Sequence, residues 1–525
     1  MRDFVLPGRS IAAARSAAVA TSHALASASA ISVLARGGNA FDAAIAACAV
    51  LCVVESHMTG IGGDCFVLFR AAASGRIQAL NGSGRTPAAA SIEELSGLSG
   101  AEIPRRSPQA ITIPGAVDAW WRLHGDHGRL PWRELFAAAI DYAENGYPIA
   151  PRVAWDWARE RELIMSDPGL RGIVAPDGRI PDAGDIHRQP ALAATLRTIA
   201  EEGRAGFYEG KVAKSLVGYL RSMGGRHSLE DFADQHAEIV EPVSTDYRGY
   251  RIFECPPNGQ GIAALVALNI LRGFSLERLP EAEWLHLVCE AIKQGYAVRD
   301  GSIADPAHAR VPVEAMLSED FAARLRRSVT AGMARSVAPI EDVEHKDTTY
   351  LCAIDREGNA ISFINSLFSP FGTGLAEPET GIFLHNRGTS FRSFPGHVNT
   401  YAARKRPMHT IIPGMISRDG RLVSAFGVMG GHYQAAGHVT LLSRIIDRGL
   451  DIQAAIDAPR VFPFGGKLQI ESSVPAALRE ALASAGHVLE PLDRPLGGAQ
   501  CIWLSETGAI LAGSDGRKDG CALGF

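Results

Sequence analysis

The stretch from His345 to Asn386, HKDTTYLCAIDREGNAISFINSLFSPFGTGLAEPETGIFLHN, decides the fold. Thr348 to Ile354 and Ala360 to Asn365 are rich in β-branched and apolar residues. The residues between them, Asp355-Arg356-Glu357-Gly358-Asn359, carry turn chemistry, so the stretch predicts a β-hairpin with Thr348 at the head of its first strand. Both strands are apolar at nearly every position rather than at alternate ones, the pattern of a sheet covered on both faces by helices.

A threonine hydroxyl is a weak nucleophile until a base takes its proton. One solution is the residue's own α-amine, freed by cutting the chain before it. That amine titrates near 7.7–8.0 in its ordinary state, so at neutral pH part of it can act as base without a separate histidine. Taken alone, Thr348-Thr349 reads as a β-branched strand start.

The surrounding motifs change that reading. Asp347-Thr348-Thr349-Tyr350, the Asp355-x-x-Gly358-Asn359-Ala360 turn, Phe371-Gly372-Thr373-Gly374 and Gly381-Ile382-x-Leu384-x-Asn386 together resemble the autoprocessing core of the γ-glutamyltranspeptidases. The resemblance extends through Leu130-Pro131-Trp132, Pro256-Pro257-x-Gly259, Arg406-Pro407 and Gly430-Gly431. It implies a four-layer αββα N-terminal-nucleophile hydrolase sandwich and autocatalytic cleavage between Asp347 and Thr348. Residues 1–347 would then form a large subunit and 348–525 a small one, sharing one globular domain. The expected partners are those two pieces, alone or as a pair of heterodimers, and a small-molecule amide substrate.

Composition fits. No low-complexity linker, repeat or long charge run divides the 525 residues. Apolar content of 46% and charged content of 21% are those of an ordinary globular enzyme. A net charge of −5 makes no electrostatic case for nucleic acid or anionic membrane. Polar residues interrupt every apolar run before membrane-spanning length, and no basic n-region precedes an unbroken apolar stretch, so a cytoplasmic location is expected. Eight cysteines scattered among apolar neighbours read as free buried thiols.

In chain order, Ser22 is placed to cap a helix from His23 to about Arg36, and Asn39 a second to about Val54. The glycine run Met58–Asp64 precedes a strand instead of following one, the reverse of a dinucleotide fingerprint, and reads as a tight turn. His124 and His127 have metal-like spacing but no accompanying carboxylate or cysteine cluster. The segment 324–346 is polar and irregular, and Arg404-Lys405-Arg406 beside Pro407 reads as a solvated turn. Leu422–Val428 is predicted as a strand and His432 to about Asp447 as a helix, with Met429-Gly430-Gly431 between them.

By the resemblance, Gly430 and Gly431 are the oxyanion pair and Ser366 supplies the second hydroxyl that orients the nucleophile. Arg85 matches the arginine that grips the glutamyl carboxylate, with Arg387 as a second candidate. Where typical members hold the glutamate α-amine and α-carboxylate with an asparagine and an aspartate, this chain has Phe368 and Ser390, and their paired serines become His409 and Thr410. The connection from Ser390 to Arg406 is also short. These departures point to the lid-less subgroup that includes oxamate amidohydrolase and class IV cephalosporin acylase. They predict hydrolysis of an amide whose acyl group carries a carboxylate, through a Thr348 acyl-enzyme, with water as acceptor and no cofactor or metal. The alternatives are a true γ-glutamyltranspeptidase or glutathione hydrolase, and an unprocessed binding protein.

Overall fold

The computed structural model describes residues 8–96, 103–335 and 348–525. Asp347, the expected cleavage residue, and residues 336–346 before it lie outside the described residues.

The hairpin forms as Thr349–Ile354 and Ala360–Ser366, in register Thr349 to Asn365 and Ile354 to Ala360. Asp355 fixes its turn: Oδ1 accepts the N–H of Glu357 and of Asn359, each at 3.0 Å. Gly358 takes φ 85°, which a glycine reaches without steric cost. Asp355 Oδ2 also accepts Ala40 N at 2.9 Å, tying the turn to the start of the helix Ala40–Val54.

This hairpin lies in the middle of a seven-stranded sheet ordered Cys521–Gly524, Ala18–Thr21, Thr349–Ile354, Ala360–Ser366, Asp64–Arg70, Ile77–Gly82, Glu238–Val240. A second seven-stranded sheet runs Ala12–Ala14, Ile510–Ser514, Gly498–Leu504, Arg421–Met429, Pro413–Arg418, Tyr250–Glu254, Val243–Tyr247. Strand pairs in both are antiparallel.

Alternate residues of each strand enter different cores. Cys352, Ile354, Ile364, Phe66 and Leu68 meet Met415, Ala425 and Ile502 between the sheets. Leu351, Ala353, Ile361 and Phe363 face outward with Val67 and Phe69 onto a core shared with the helices Ala24–Ala35, Ala40–Val54 and Ala116–His127. The second sheet places Ile252, Ile416, Phe426 and Val428 in the core of Gly261–Leu271, Glu281–Ser302 and Tyr433–Ile446. The result is the four-layer αββα arrangement. Helices on both faces of the hairpin sheet were expected, but one face meets the other sheet, because an unbroken apolar strand records burial and not the identity of the covering layer. Truncating Phe363 to Ala would cost about 3–5 kcal/mol.

Local predictions otherwise hold with small shifts. Asn39 caps Ala40–Val54 with a reciprocal bond from Asn39 N to Asp42. The first helix is capped by His23, whose Nδ1 accepts Leu25 N at 3.2 Å, because the Ser22 hydroxyl is bound to the Glu55 carboxylate. The solvated-turn reading of residues 404–406 holds for Arg404 only. Lys405 and Arg406 are buried. Lys405 Nζ donates to the carbonyls of Val398 and Thr400 at 2.7 and 3.0 Å, and Arg406 Nε to Ser83 O at 3.1 Å. The irregular segment opens in helix, since Arg324 to Arg326 belong to the helix Glu319–Arg326. His124 bonds to Leu130 O at 2.8 Å and His127 stacks on Phe41, so both serve the scaffold. All eight cysteines are free. Among the described residues no helix is long and apolar enough to cross a membrane.

Candidate active site

Thr348 immediately precedes the first hairpin strand and is fully buried. Because Thr349 pairs with Asn365, the next residue of the returning strand, Ser366, falls beside Thr348, and the two hydroxyl oxygens are 3.1 Å apart. Ser366 Oγ also accepts Phe368 N at 2.8 Å, which orients it. From the helix Tyr433–Ile446, Gln434 Nε2 donates to Thr348 Oγ1 at 3.3 Å, while Gln434 Oε1 is held by Ile412 N at 3.0 Å. The nucleophile candidate is thus fixed by groups from two elements.

The glycine run supports this strand end from below. A Cβ on Gly63 would lie 2.4 Å from Ser366 O, and one on Gly62 2.2 Å from Phe383 O, so only glycine lets these backbones approach. Asn365 Nδ2 locks the contact by donating to Thr59 Oγ1 and Gly60 O at 2.8 and 3.1 Å.

Asp64, which ends that run, anchors a buried polar cluster. Its Oδ1 accepts the N–H of Gly84 and of Gly115 at 3.0 and 3.3 Å, and its Oδ2 is 2.9 Å from His409 Nε2. His409 Nδ1 accepts Ile411 N at 3.3 Å, so the proton sits on Nε2 and is donated to Asp64. Burial lowers the His409 pKa to about 3, leaving a neutral imidazole. Burial alone would raise that of Asp64, but His385, the His409 bond and Arg387 outweigh it and hold the carboxyl at about 2.

Arg387 is fully buried beside this cluster. Its Nη1 donates to Thr410 Oγ1 at 2.8 Å and its guanidinium carbon lies 3.8 Å from the centre of the Phe368 ring. Nε and Nη2, which form the edge that grips a carboxylate in bidentate fashion, have no hydrogen-bond partner among the described residues. Burial lowers its pKa to about 9, partly opposed by the Asp64 charge, so it remains a cation at neutral pH.

Gly430 and Gly431 take φ +113° and +56° between the strand Arg421–Met429 and the helix Tyr433–Ile446. Their carbonyls are turned inward: Gly430 O accepts Tyr433 N at 3.0 Å, and Gly431 O accepts Gln434 N at 3.3 Å and Gln260 Nε2 at 3.0 Å. Since a peptide N–H points opposite to its carbonyl, the Gly431 N–H is directed out of the turn.

The structure therefore brings together Thr348 and Ser366, joins His409, Thr410 and Arg387 into one cluster, and ties Gly431 to Thr410 through Gln260. Ser390 ends the turn Arg387–Ser390 with its hydroxyl buried and unpartnered among the described residues. Arg85 is not part of the cluster. Its Nη2 donates to Glu238 Oε1 at 2.7 Å in a partly exposed pair, and Arg406 donates to the other oxygen of Glu238 at 2.9 Å. Asp64, Gln434 and Gln260 were missed from sequence. Asp64 closes the glycine run and Gln434 follows the glycine pair by one turn, which are the signals that could have found them.

One group with metal-ligand geometry exists among the described residues, His286, Glu290 and His487. It is internally satisfied: the two rings bond at 2.9 Å and the Glu290 carboxylate is met by Lys293 Nζ at 2.6 Å.

Residues 26–525 match the Gamma-glutamyltranspeptidase family. The chain belongs to that family. It is 36% identical over 519 residues to the glutathione hydrolase-like YwrD proenzyme of Bacillus subtilis, covering 97% of this chain and 98% of that one. It is 32% identical to the oxamate amidohydrolase proenzyme of Klebsiella pneumoniae, covering 96% and 97%. Among solved structures, cephalosporin acylase from Bacillus halodurans superposes with a TM-score of 0.93 at 36% identity, covering 100% of this chain and 99% of that one. As a γ-glutamyltranspeptidase-family protein with this sandwich, the chain is an amide hydrolase of the N-terminal-nucleophile type.

Proposed function

We propose that this γ-glutamyltranspeptidase-family hydrolase cleaves itself between Asp347 and Thr348 and then hydrolyses amides whose acyl group bears a carboxylate. The freed α-amine of Thr348 takes the proton of Oγ1 as that oxygen attacks the scissile carbonyl. Ser366 and Gln434 hold Oγ1 in line, and the N–H groups of Gly430 and Gly431 receive the developing oxyanion. The amine leaves with the proton, and water, deprotonated by the same α-amine, releases the acid.

The observation that carries the acyl-group assignment is the open Nε–Nη2 edge of buried Arg387. Two unpartnered buried nitrogens on a cation are costly unless a ligand completes them, and a carboxylate matches that edge in charge and shape. Thr410 steers the guanidinium and Phe368 stacks on it. Phe368 and Ser390, at the positions that the resemblance gives to the α-amine and α-carboxylate contacts, carry no charge with which to neutralise a substrate ammonium. That favours an acyl group without an α-amine, in keeping with the similarity to oxamate amidohydrolase. The similarity to a glutathione hydrolase-like proenzyme favours the second reading, γ-glutamyl hydrolysis or transfer.

Glutaryl and γ-glutamyl anilides, which share the terminal carboxylate and differ by the α-amino group alone, separate the two. Higher kcat/KM on the glutaryl compound is expected. Clear preference for the γ-glutamyl compound would overturn the pocket assignment, and an uncleaved chain inert to both would leave a binding role.

A further inference from the structure

The turn Pro256-Pro257-Asn258-Gly259-Gln260-Gly261 contributes no group to the chemistry above, yet it touches both halves of the site. Gln260 is fully buried at the start of the helix Gly261–Leu271. Its backbone N donates to His409 O at 2.8 Å, and His409 N donates to Asn258 O at 2.8 Å, so the turn is stitched to the segment that carries Thr410. Its side-chain amide bridges two carbonyls: Nε2 donates to Thr410 O at 2.6 Å and to Gly431 O at 3.0 Å.

The orientation of that amide is enforced. Buried Arg299 donates from Nη1 to Gln260 Oε1 at 2.7 Å, and the same nitrogen lies 3.0 Å from His432 Nδ1. The Tyr296 ring, 4.4 Å from the guanidinium carbon, backs it. With Oε1 committed to a cation, only Nε2 can face the carbonyls. Two adjacent glycines at positive φ have little conformational preference of their own, so the geometry of the Gly430-Gly431 turn must be held from outside, and Gln260 is one of the holds.

We propose that Gln260 is a positioning residue that couples an acyl carboxylate on Arg387, through Thr410, to the geometry of the Gly430-Gly431 turn. Binding energy at the carboxylate is thereby converted into alignment of the oxyanion donors, so the carboxylate raises turnover as well as affinity. The inference rests on the Arg387 reading and adds a second residue and a kinetic consequence to it.

The test uses the full-length protein and two anilides, glutaryl and valeryl, which differ by the terminal carboxylate. Rates are expressed per processed chain, counted by intact mass. In the wild type the carboxylate should lower KM and raise kcat. Gln260→Met keeps the length and apolar bulk of the side chain but cannot donate. It should lower kcat on the glutaryl compound by about 10- to 100-fold, towards the valeryl rate, while the KM advantage of the acid stays within about 3-fold. Equal losses on both substrates would indicate a merely structural role and overturn the proposal, as would an unchanged kcat. If Gln260→Met is not processed, Arg299→Lys, which loosens Oε1 and leaves Gln260 in place, should show the same selective loss in smaller degree, and an unaltered kcat ratio there overturns the coupling. A wild type indifferent to the carboxylate would sink the Arg387 reading, whereas a wild-type preference that persists in kcat for both variants sinks only the coupling.

Discussion

Two arginines that the sequence offers to a carboxylate sit in opposite surroundings. Arg85 lies at a partly exposed rim, paired with Glu238, which also accepts from Arg406. Arg387 is buried on Phe368 and Thr410 with the bidentate edge of its guanidinium unpaired. An arginine already neutralised by the protein has little left for a ligand, while one desolvated and incompletely bonded is held in a state that a ligand would relieve. The contrast teaches that the role of a charged residue is set by which of its hydrogen bonds the fold leaves open.

The largest expected effect removes the reaction either arginine would serve. Thr348→Ala should block cleavage of the precursor, seen as a single chain by denaturing electrophoresis, and lower amide hydrolysis by about 10⁴-fold or more. Normal processing of that variant would break the account before the arginines are compared.

Next in size is Arg387→Met. For acid-bearing amides kcat/KM should fall by about 10²- to 10³-fold, with little change for the valeryl compound, because the lost contact is a buried charge pair. The ligand-free variant should also melt above the wild type, since a desolvated cation with two unpartnered nitrogens has been removed. Loss of activity on acid and valeryl compounds alike would mean that Arg387 is structural.

A pH profile sharpens the same contrast without mutation. Burial lowers the Arg387 pKa to about 9. The carboxylate needs the protonated form, so the preference for acid-bearing over valeryl amides should be full at neutral pH and decline as pH rises through about 9. A preference that is already lost below about pH 8, where the guanidinium is charged, would contradict a dependence on Arg387. The smallest effect is expected of Arg85→Met: kcat/KM within about 3-fold of wild type and stability within about 1 kcal/mol, as for an exposed ion pair. A loss comparable with that of Arg387→Met would invert the comparison.

The reacting end of the molecule was more legible than the acyl pocket, and the reason is range. The hairpin, its turn at Asp355–Asn359, the cap at Asn39 and the glycine pair after Met429 are written in residues near one another in sequence. The placement of Ser366 beside Thr348 follows from hairpin register. The pocket is assembled from Asp64, Arg387 and His409–Thr410, brought together across three parts of the chain, and no local pattern separates a guanidinium bound to Glu238 from one left open. The burial of Lys405 and Arg406 was hidden for the same reason, since Lys405 is met by the loop at Val398 and Thr400, and Arg406 by Ser83 and Glu238 from distant parts of the chain. An apolar strand likewise does not declare whether a helix or a second sheet will cover it.

The most direct test of the central claim is intact-mass analysis of the purified protein before and after brief exposure to a glutaryl amide. The account predicts two chains that break between Asp347 and Thr348, with a transient glutaryl adduct confined to the piece beginning at Thr348. A single persistent chain, or an adduct on the other piece, would contradict it.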